Sequence, residues 1–303
     1  MSKTQIKVIK SITEFHSLRG LNKPGHPLIS VVNMDEIKIF ADSEKMAFDF
    51  YFISLKHAVG ANYYYGQENY SFKEGVLSFM APNQIFGLDI SNSTTIPTGY
   101  MLLVHEDFLW NTTVARSIKK YDYFNYAVNE ALILTEKEEK LITQIIENIR
   151  QEYHSNMDSF TKNILISHIE TLLSYSERFY NRQFIVREKS NHKVLEQLEI
   201  LLIEYFNNND LISTGLPTVQ YVADSLNLSP SYLGSLLRML TGLNTQQHIH
   251  EKLIVKAKEQ LSTTQLTVTE IAYKLGFEHP QSFSKLFKTK TQTSPSEFRE
   301  FYN

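Results

Sequence analysis

Thr218 to Leu226 reads TVQYVADSL, and Thr267 to Leu275 reads TVTEIAYKL. Thr, Val, Ala and Leu recur at an offset of 49. Past the next turn the offset becomes 50: Ser229-Pro230 answers His279-Pro280, Leu233 answers Phe283, Leu237 answers Phe287, and Arg238 answers Lys288. One unit is therefore used twice, with one extra residue in the second turn. From Lys193 onward the pattern is helical with short turns, so the repeat restricts this part of the chain to short, tightly joined helices.

The chemistry of each unit is local. In the second, Thr267 and Glu270 form a capping box, and Ile271, Ala272 and Leu275 point inward. Gly276 suits the positive φ that ends the helix, and Phe277 closes the small core. His279 stands where an N-cap belongs, and Pro280 takes the first helical position, where its missing N–H costs nothing. Phe283, Leu286 and Phe287 then face inward. Gln281, Ser282, Ser284, Lys285 and Lys288 remain outside. In the first unit Ser229 caps and Pro230 follows. Leu233, Leu236, Leu237 and Leu240 are buried, which leaves Ser231, Tyr232, Ser235 and Arg238 outside. This is helix-turn-helix patterning, about 218–240 and 267–290, in which the second helix enters the major groove of double-stranded DNA. Gln, Ser, Lys and Arg pair with base edges and phosphates, and neither outward face carries a carboxylate to repel them. A plain helical bundle accounts for the inward stripe but not for two acid-free outward faces on the same capped unit.

Charge is consistent with a local patch. The whole chain has a net charge of −3. Between Lys252 and Lys290 there are seven lysines against Glu259, Glu270 and Glu278. DNA affinity from such a patch is salt-sensitive. The chain has no cysteine, which excludes a disulfide framework, a Cys-ligated zinc and a Cys nucleophile. There is no secretory leader pattern and no run of 18 or more apolar residues. The expectation is a cytoplasmic protein with no membrane partner.

The first 110 or so residues read as β. Phe48 to Ala58 is aromatic and β-branched, the stretch YSFKEGVLSFMAPNQIFGLDI holds two strands about a Glu74-Gly75 turn, and TGYMLLVHEDF is a further apolar run. Two helices follow. Thr135 and Glu138 form a capping box ahead of Leu141, Ile142, Ile145, Ile146 and Ile149. Leu165, Ile169, Leu172 and Phe179 then keep 3–4 spacing. Those helices either pack on the β region or pair two chains into a homodimer. The polar stretch Asn181 to Asn191 reads as a linker. The only H-x-H is His248-Ile249-His250, and residues two apart on a helix point to different sides. His57 and His105 stand alone in apolar contexts. No metal, cofactor or catalytic constellation is expected: there is no G-x-S-x-G, Gly-rich phosphate loop or zinc spacing.

The C-terminal run, roughly Lys193 to Phe301, resembles the AraC/XylS transcription regulators. The resemblance is carried by Ala257, Leu261, Ile271-Ala272, Gly276-Phe277, Phe283-Ser284, Phe287-Lys288, Ser294-Pro295 and Phe298-Arg299. It implies a seven-helix domain whose two helix-turn-helix units are joined by a long helix, about Thr245 to Leu261. It also implies binding to promoter DNA, activation of transcription and RNA polymerase as a partner. Lys285 replaces the family's usual arginine, and Gln292 its usual glycine. The N-terminal half, through EGVLSFMAPNQ and GYMLLVHEDFLW, is similar to the family's cupin-like sensor domain. The expected fold is therefore α+β and multidomain: a cupin-like β-barrel sensor at 1–130, a helical dimerisation segment at 131–187 and a DNA-binding domain at 188–303. The implied function is sequence-specific DNA binding controlled by a small-molecule effector in the barrel. The alternatives are a barrel enzyme with a DNA-binding tail and a DNA-binding protein whose barrel only mediates association.

Overall fold

The computed structural model of the chain describes residues 6–38, 44–57, 62–65, 68–71, 75–88, 98–127, 130–155, 158–186, 188–207 and 211–301. The expected turn residue Glu74 and residues 208–210 lie outside this set. The chain divides into two compact units, Met1–Val186 and Arg187–Asn303.

In the first unit, β1 (Lys7–Ile9), α1 (Ile12–Leu18), β2 (Ile29–Asn33), β3 (Glu44–Phe48), β4 (Tyr51–Lys56), β5 (Asn62–Tyr65), β6 (Glu68–Ser71), β7 (Val76–Met80), β8 (Ile85–Leu88) and β9 (Gly99–Val104) precede two short helices, α2 (Glu106–Leu109) and α3 (Thr113–Ser117). Then come β10 (Leu132–Ile133) and two long helices, α4 (Glu136–His154) and α5 (Thr161–Val186). The strands form a five-stranded antiparallel sheet, β10-β7-β4-β9-β2, a three-stranded sheet, β1-β3-β8, and the hairpin β5-β6. Among the described residues no sheet closes into a barrel, so what is established here is antiparallel sheet covered by helices. The two larger sheets share one core: Ile9, Phe15, Val32, Met46, Phe48, Phe50, Phe52, Met80 and Leu103 belong to a single buried cluster. Helix α1 inserts Phe15 into it, edge-on to Phe48, Phe50 and Phe52 with centroids 5.9–6.4 Å apart. Beside it, His16 Nδ1 donates to Asn22 O at 2.6 Å and Nε2 accepts from the Ser30 hydroxyl at 2.9 Å. Burial lowers the His16 pKa, which favours this neutral form.

Helices α4 and α5 cover the other face of the five-stranded sheet. Tyr123 stacks on Tyr180 of α5 at 5.3 Å and meets Phe79 of β7 at 4.5 Å. Glu139 of α4 accepts from His57 Nδ1 at 2.6 Å and from the Gly75 N–H at 2.9 Å, and Glu147 accepts from the Tyr100 hydroxyl. His57 is thus a structural residue hydrogen-bonded to Glu139, and His105 caps α2 by accepting from the Asp107 N–H at 3.2 Å.

Two expectations are corrected here. Leu165, Ile169, Leu172 and Phe179 are all buried within this one chain, so that stripe offers no face to a second copy. The stretch expected to be a linker holds the division between the two units, but it is helical on both sides of it: Asn181 to Val186 complete α5, and Glu188 to Asn191 begin the next helix. Its polar groups are used internally. Arg182 donates to Glu138 at 2.6 Å and to Ile133 O at 2.7 Å, while Gln183 accepts from the Ile133 N–H at 2.8 Å.

The second unit holds α6 (Glu188–Asn207), α7 (Leu211–Thr214), α8 (Val219–Ser225), α9 (Pro230–Thr241), α10 (Thr245–Thr263), α11 (Val268–Lys274), α12 (Pro280–Thr291) and α13 (Pro295–Glu300). The described residues therefore contain one helical segment beyond the seven implied, the single turn α7. Helix α10, 19 residues and about 28 Å long, joins the repeats and buries Ile249, Leu253, Ile254, Ala257 and Leu261. No helix of the described residues is long and apolar enough to cross a membrane.

Candidate nucleic-acid interface

Helices α8 and α9 form the first unit, α11 and α12 the second. Each opening helix has a threonine N-cap: Thr218 Oγ1 accepts from the Tyr221 N–H at 3.0 Å, and Thr267 from Glu270 at 3.2 Å. In the second, the Glu270 carboxylate accepts in return from the Thr267 N–H at 2.7 Å and completes the capping box. The Thr267 hydroxyl, donating to the Glu270 carboxylate at 2.7 Å, and the Thr267 N–H together hold that carboxyl below its ordinary pKa.

The turns close identically. Leu228 N–H donates to Ala223 O, and Phe277 N–H to Ala272 O, both at 3.0 Å, which is the long bond of a Schellman motif. The preceding residue is left-handed in both, Asn227 at φ 56° and Gly276 at φ 86°. Gly276 has no freedom to change: an added Cβ would lie 3.0 Å from Gly215 C and from Leu211 O.

The recognition helices α9 and α12 each begin with proline at the first position and run for 12 residues. Ser229 caps α9, accepting from the Tyr232 N–H at 3.2 Å. His279 occupies the same place ahead of α12, but its side chain makes no cap bond. Gly242 ends α9 at φ 76° and Gln292 ends α12 at φ 65°, so the position where the family usually has glycine is indeed left-handed. Inward, Leu233, Leu236 and Leu237 are fully buried in one unit, as are Phe283 and Phe287 in the other. Phe277 packs on Phe283 at 5.5 Å, and Phe298 of α13 packs edge-on to Phe287 at the same distance. Leu240 and Leu286, expected inside, are half-buried.

Outward, Gln281, Ser282, Lys285 and Lys288 of α12 are exposed and Ser284 is half-buried. On α9, Arg238 is exposed and Ser231 and Ser235 are half-buried. Tyr232 departs from expectation: its side chain is fully buried. The apolar stripe of α9 is one residue wider than that of α12, since Tyr232 stands one turn before Leu236 and continues its row. Ser282, its counterpart, is exposed. Tyr232 is therefore a core residue and not a base reader. The offset of 50 also places Gly234 at the position of Ser284.

Among the described residues Lys285 and Lys288 make no ion pair. Lys290 is tied to Glu251 at 2.9 Å and Lys256 to Glu259 at 3.1 Å. His248 and His250 have separate partners, the Thr241 hydroxyl at 2.8 Å and the Gln246 amide at 2.9 Å, and burial lowers both pKa values.

A family of helix-turn-helix domains matches residues 222–300, which span both recognition helices. The chain is 35% identical over 79 residues to the HTH-type transcriptional activator RhaS of Escherichia coli O1:K1 / APEC, and 38% identical over 79 residues to RhaS of Enterobacter sp. strain 638. Each match covers 26% of this chain and 28% of the relative. The C-terminal unit carries a helix-turn-helix domain, as the AraC/XylS resemblance implied. The C-terminal domain of the two-component response regulator yesN from Fusobacterium nucleatum subsp. nucleatum is 28% identical, with 35% of this chain and 98% of that one aligned and a TM-score of 0.31. In this domain a Schellman turn leads into each of α9 and α12, and α10 joins the two units.

Proposed function

We propose that this chain is a one-component transcription activator that binds promoter DNA sequence-specifically and acts on RNA polymerase. The observation that carries the reading is the pair of capped helix-turn-helix units whose outward faces hold Gln281, Lys285, Lys288 and Arg238 and no carboxylate. Gln281, near the start of α12, pairs bidentately with adenine, helped by Ser282 and Ser284. Lys285, Lys288 and Arg238 meet phosphates, and Ser231 and Ser235 approach the duplex from α9. The two helices occupy adjacent major grooves on one face of the duplex, one turn or about 34 Å apart. Lys288→Ala tests the division: it weakens selected and random duplexes alike and lowers the salt slope by about one. A change of sequence preference in this variant would refute the assignment.

In this reading residues 1–130 are a cupin-like sensor, 131–187 link it to the DNA-binding region at 188–303, and the protein works as a cytoplasmic homodimer. A small organic effector enters the barrel. Support comes from the inner face of the five-stranded sheet, where Phe52 gives way to Ser54 and Lys56 along β4. The Ser78 hydroxyl of β7 lies 3.4 Å from that of Ser54. Among the described residues Lys56 makes no ion pair, and burial lowers its ammonium pKa. A lysine with no ion-pair partner among the described residues favours an effector with an anionic group. Thermal-shift titration with small organic acids, compared between wild type and Lys56→Met, checks this: stabilisation lost in the variant is the expected result.

A second reading has its own support. Phe15, Phe48, Phe50 and Phe52 fill the other end of the same inner face, which suits a β unit serving only for association. Both readings expect a dimer in sedimentation; an effector response separates them.

A further inference from the structure

Of the four glycines in the C-terminal unit, Gly215, Gly242 and Gly276 have positive φ, and their backbone explains them. Gly234 does not. It lies inside α9 with helical backbone, where glycine is less stable than alanine. Packing does not require it either. An added Cβ would meet its nearest neighbour, Thr245 Oγ1, at 3.9 Å, an ordinary contact. Among the described residues nothing calls for the missing side chain. What sets Gly234 apart is its place: one turn before Arg238 and beside Ser231 and Ser235, on the outward face of a recognition helix. The second unit carries Ser284 at the same position.

Resting on the DNA-binding reading above, we propose that Gly234 is where the backbone of α9 approaches the duplex to van der Waals contact, making it a positioning residue that seats the first helix more deeply than the second. The groove wall or a base edge occupies the space a Cβ would fill. The first unit then contributes by fit and phosphate contact, while base choice falls to α12. In agreement, α9 offers serine hydroxyls and a late arginine where α12 offers the amide of Gln281.

The test uses the full chain and a duplex selected by wild type from a randomised pool. Gly234→Ala should raise the melting temperature, because a helix glycine has been removed. It should also weaken the selected duplex by about tenfold or more. The slope of log affinity against log salt should not change, because no charge is altered. Gly234→Ser, which copies the second unit, should weaken binding further, and Ser284→Ala should weaken it less than either. A Gly234→Ala protein that is more stable and binds as well as wild type overturns the proposal. So does one that is less stable, because the glycine would then have an internal role. If wild type selects no sequence from the pool, the DNA-binding reading fails and this inference fails with it.

Discussion

The first helix-turn-helix unit is built from favourable local choices: a serine cap, a glycine stop and a leucine core. The second places an unbonded histidine at its cap and a left-handed glutamine at its stop, and its core is phenylalanine. Yet the second holds the exposed Gln281, Lys285 and Lys288. Ideal ends and reading chemistry are thus separated between the two copies. The second recognition helix draws its stability from aromatic packing, which can tolerate weak ends and leave the outward face to function.

The largest test of this comparison removes that packing. Phe287→Ala should cost about 3–5 kcal/mol, and Leu237→Ala in the first unit about 2–5 kcal/mol, by denaturant unfolding of the full chain. A markedly smaller loss at Phe287 would mean that the second helix does not depend on its aromatic core. Next comes Gln281→Ala, expected to cost about 1–3 kcal/mol of discrimination at one base position, where Ser231→Ala costs much less. Equal losses, measured by binding to single-base variants of the selected duplex, would erase the division between the units. His279→Ser gives α12 the cap that α9 has and should raise stability by about 1 kcal/mol. The smallest effect is expected from Gln292→Gly, a gain of up to about 1 kcal/mol visible as a small rise in melting temperature.

The repeat was legible because every signal in it is short-range: caps, prolines, turns and the inward stripe lie within a few residues of each other. The family resemblance puts Gln292 where a glycine is usual, and its positive φ shows why glycine suits that place. Tyr232 was misplaced because helical spacing puts it at the edge of the buried arc, where the width of the neighbouring surface decides. The stripe of α5 had the opposite fault. Its periodicity was read correctly, but periodicity cannot say whether the surface that covers it belongs to the same chain. Here α4 and the sheet cover it. Asn181 to Asn191 looked like a linker because Arg182 and Gln183 are polar, but both make bonds to residues about 50 positions earlier. Closure of the N-terminal strands into a barrel depends on long-range pairings of that kind and did not follow from alternation.

Strand β10 pairs Leu132 with Leu77, and β2 pairs Ile29 with Val104. The five-stranded sheet therefore cannot be completed on a ribosome until residue 133 has emerged, and its outer face has no cover until α5 has followed. Over that interval Tyr51, Ile53 and Phe79 stay open to chaperones and to neighbouring nascent chains. The two turn-and-helix units face no such delay, because their closing bonds span five residues or fewer and form soon after synthesis. A slow N-terminal unit ahead of a fast C-terminal one makes the DNA-binding half the first to be ready after release, and the β unit the one that sets the yield of soluble protein.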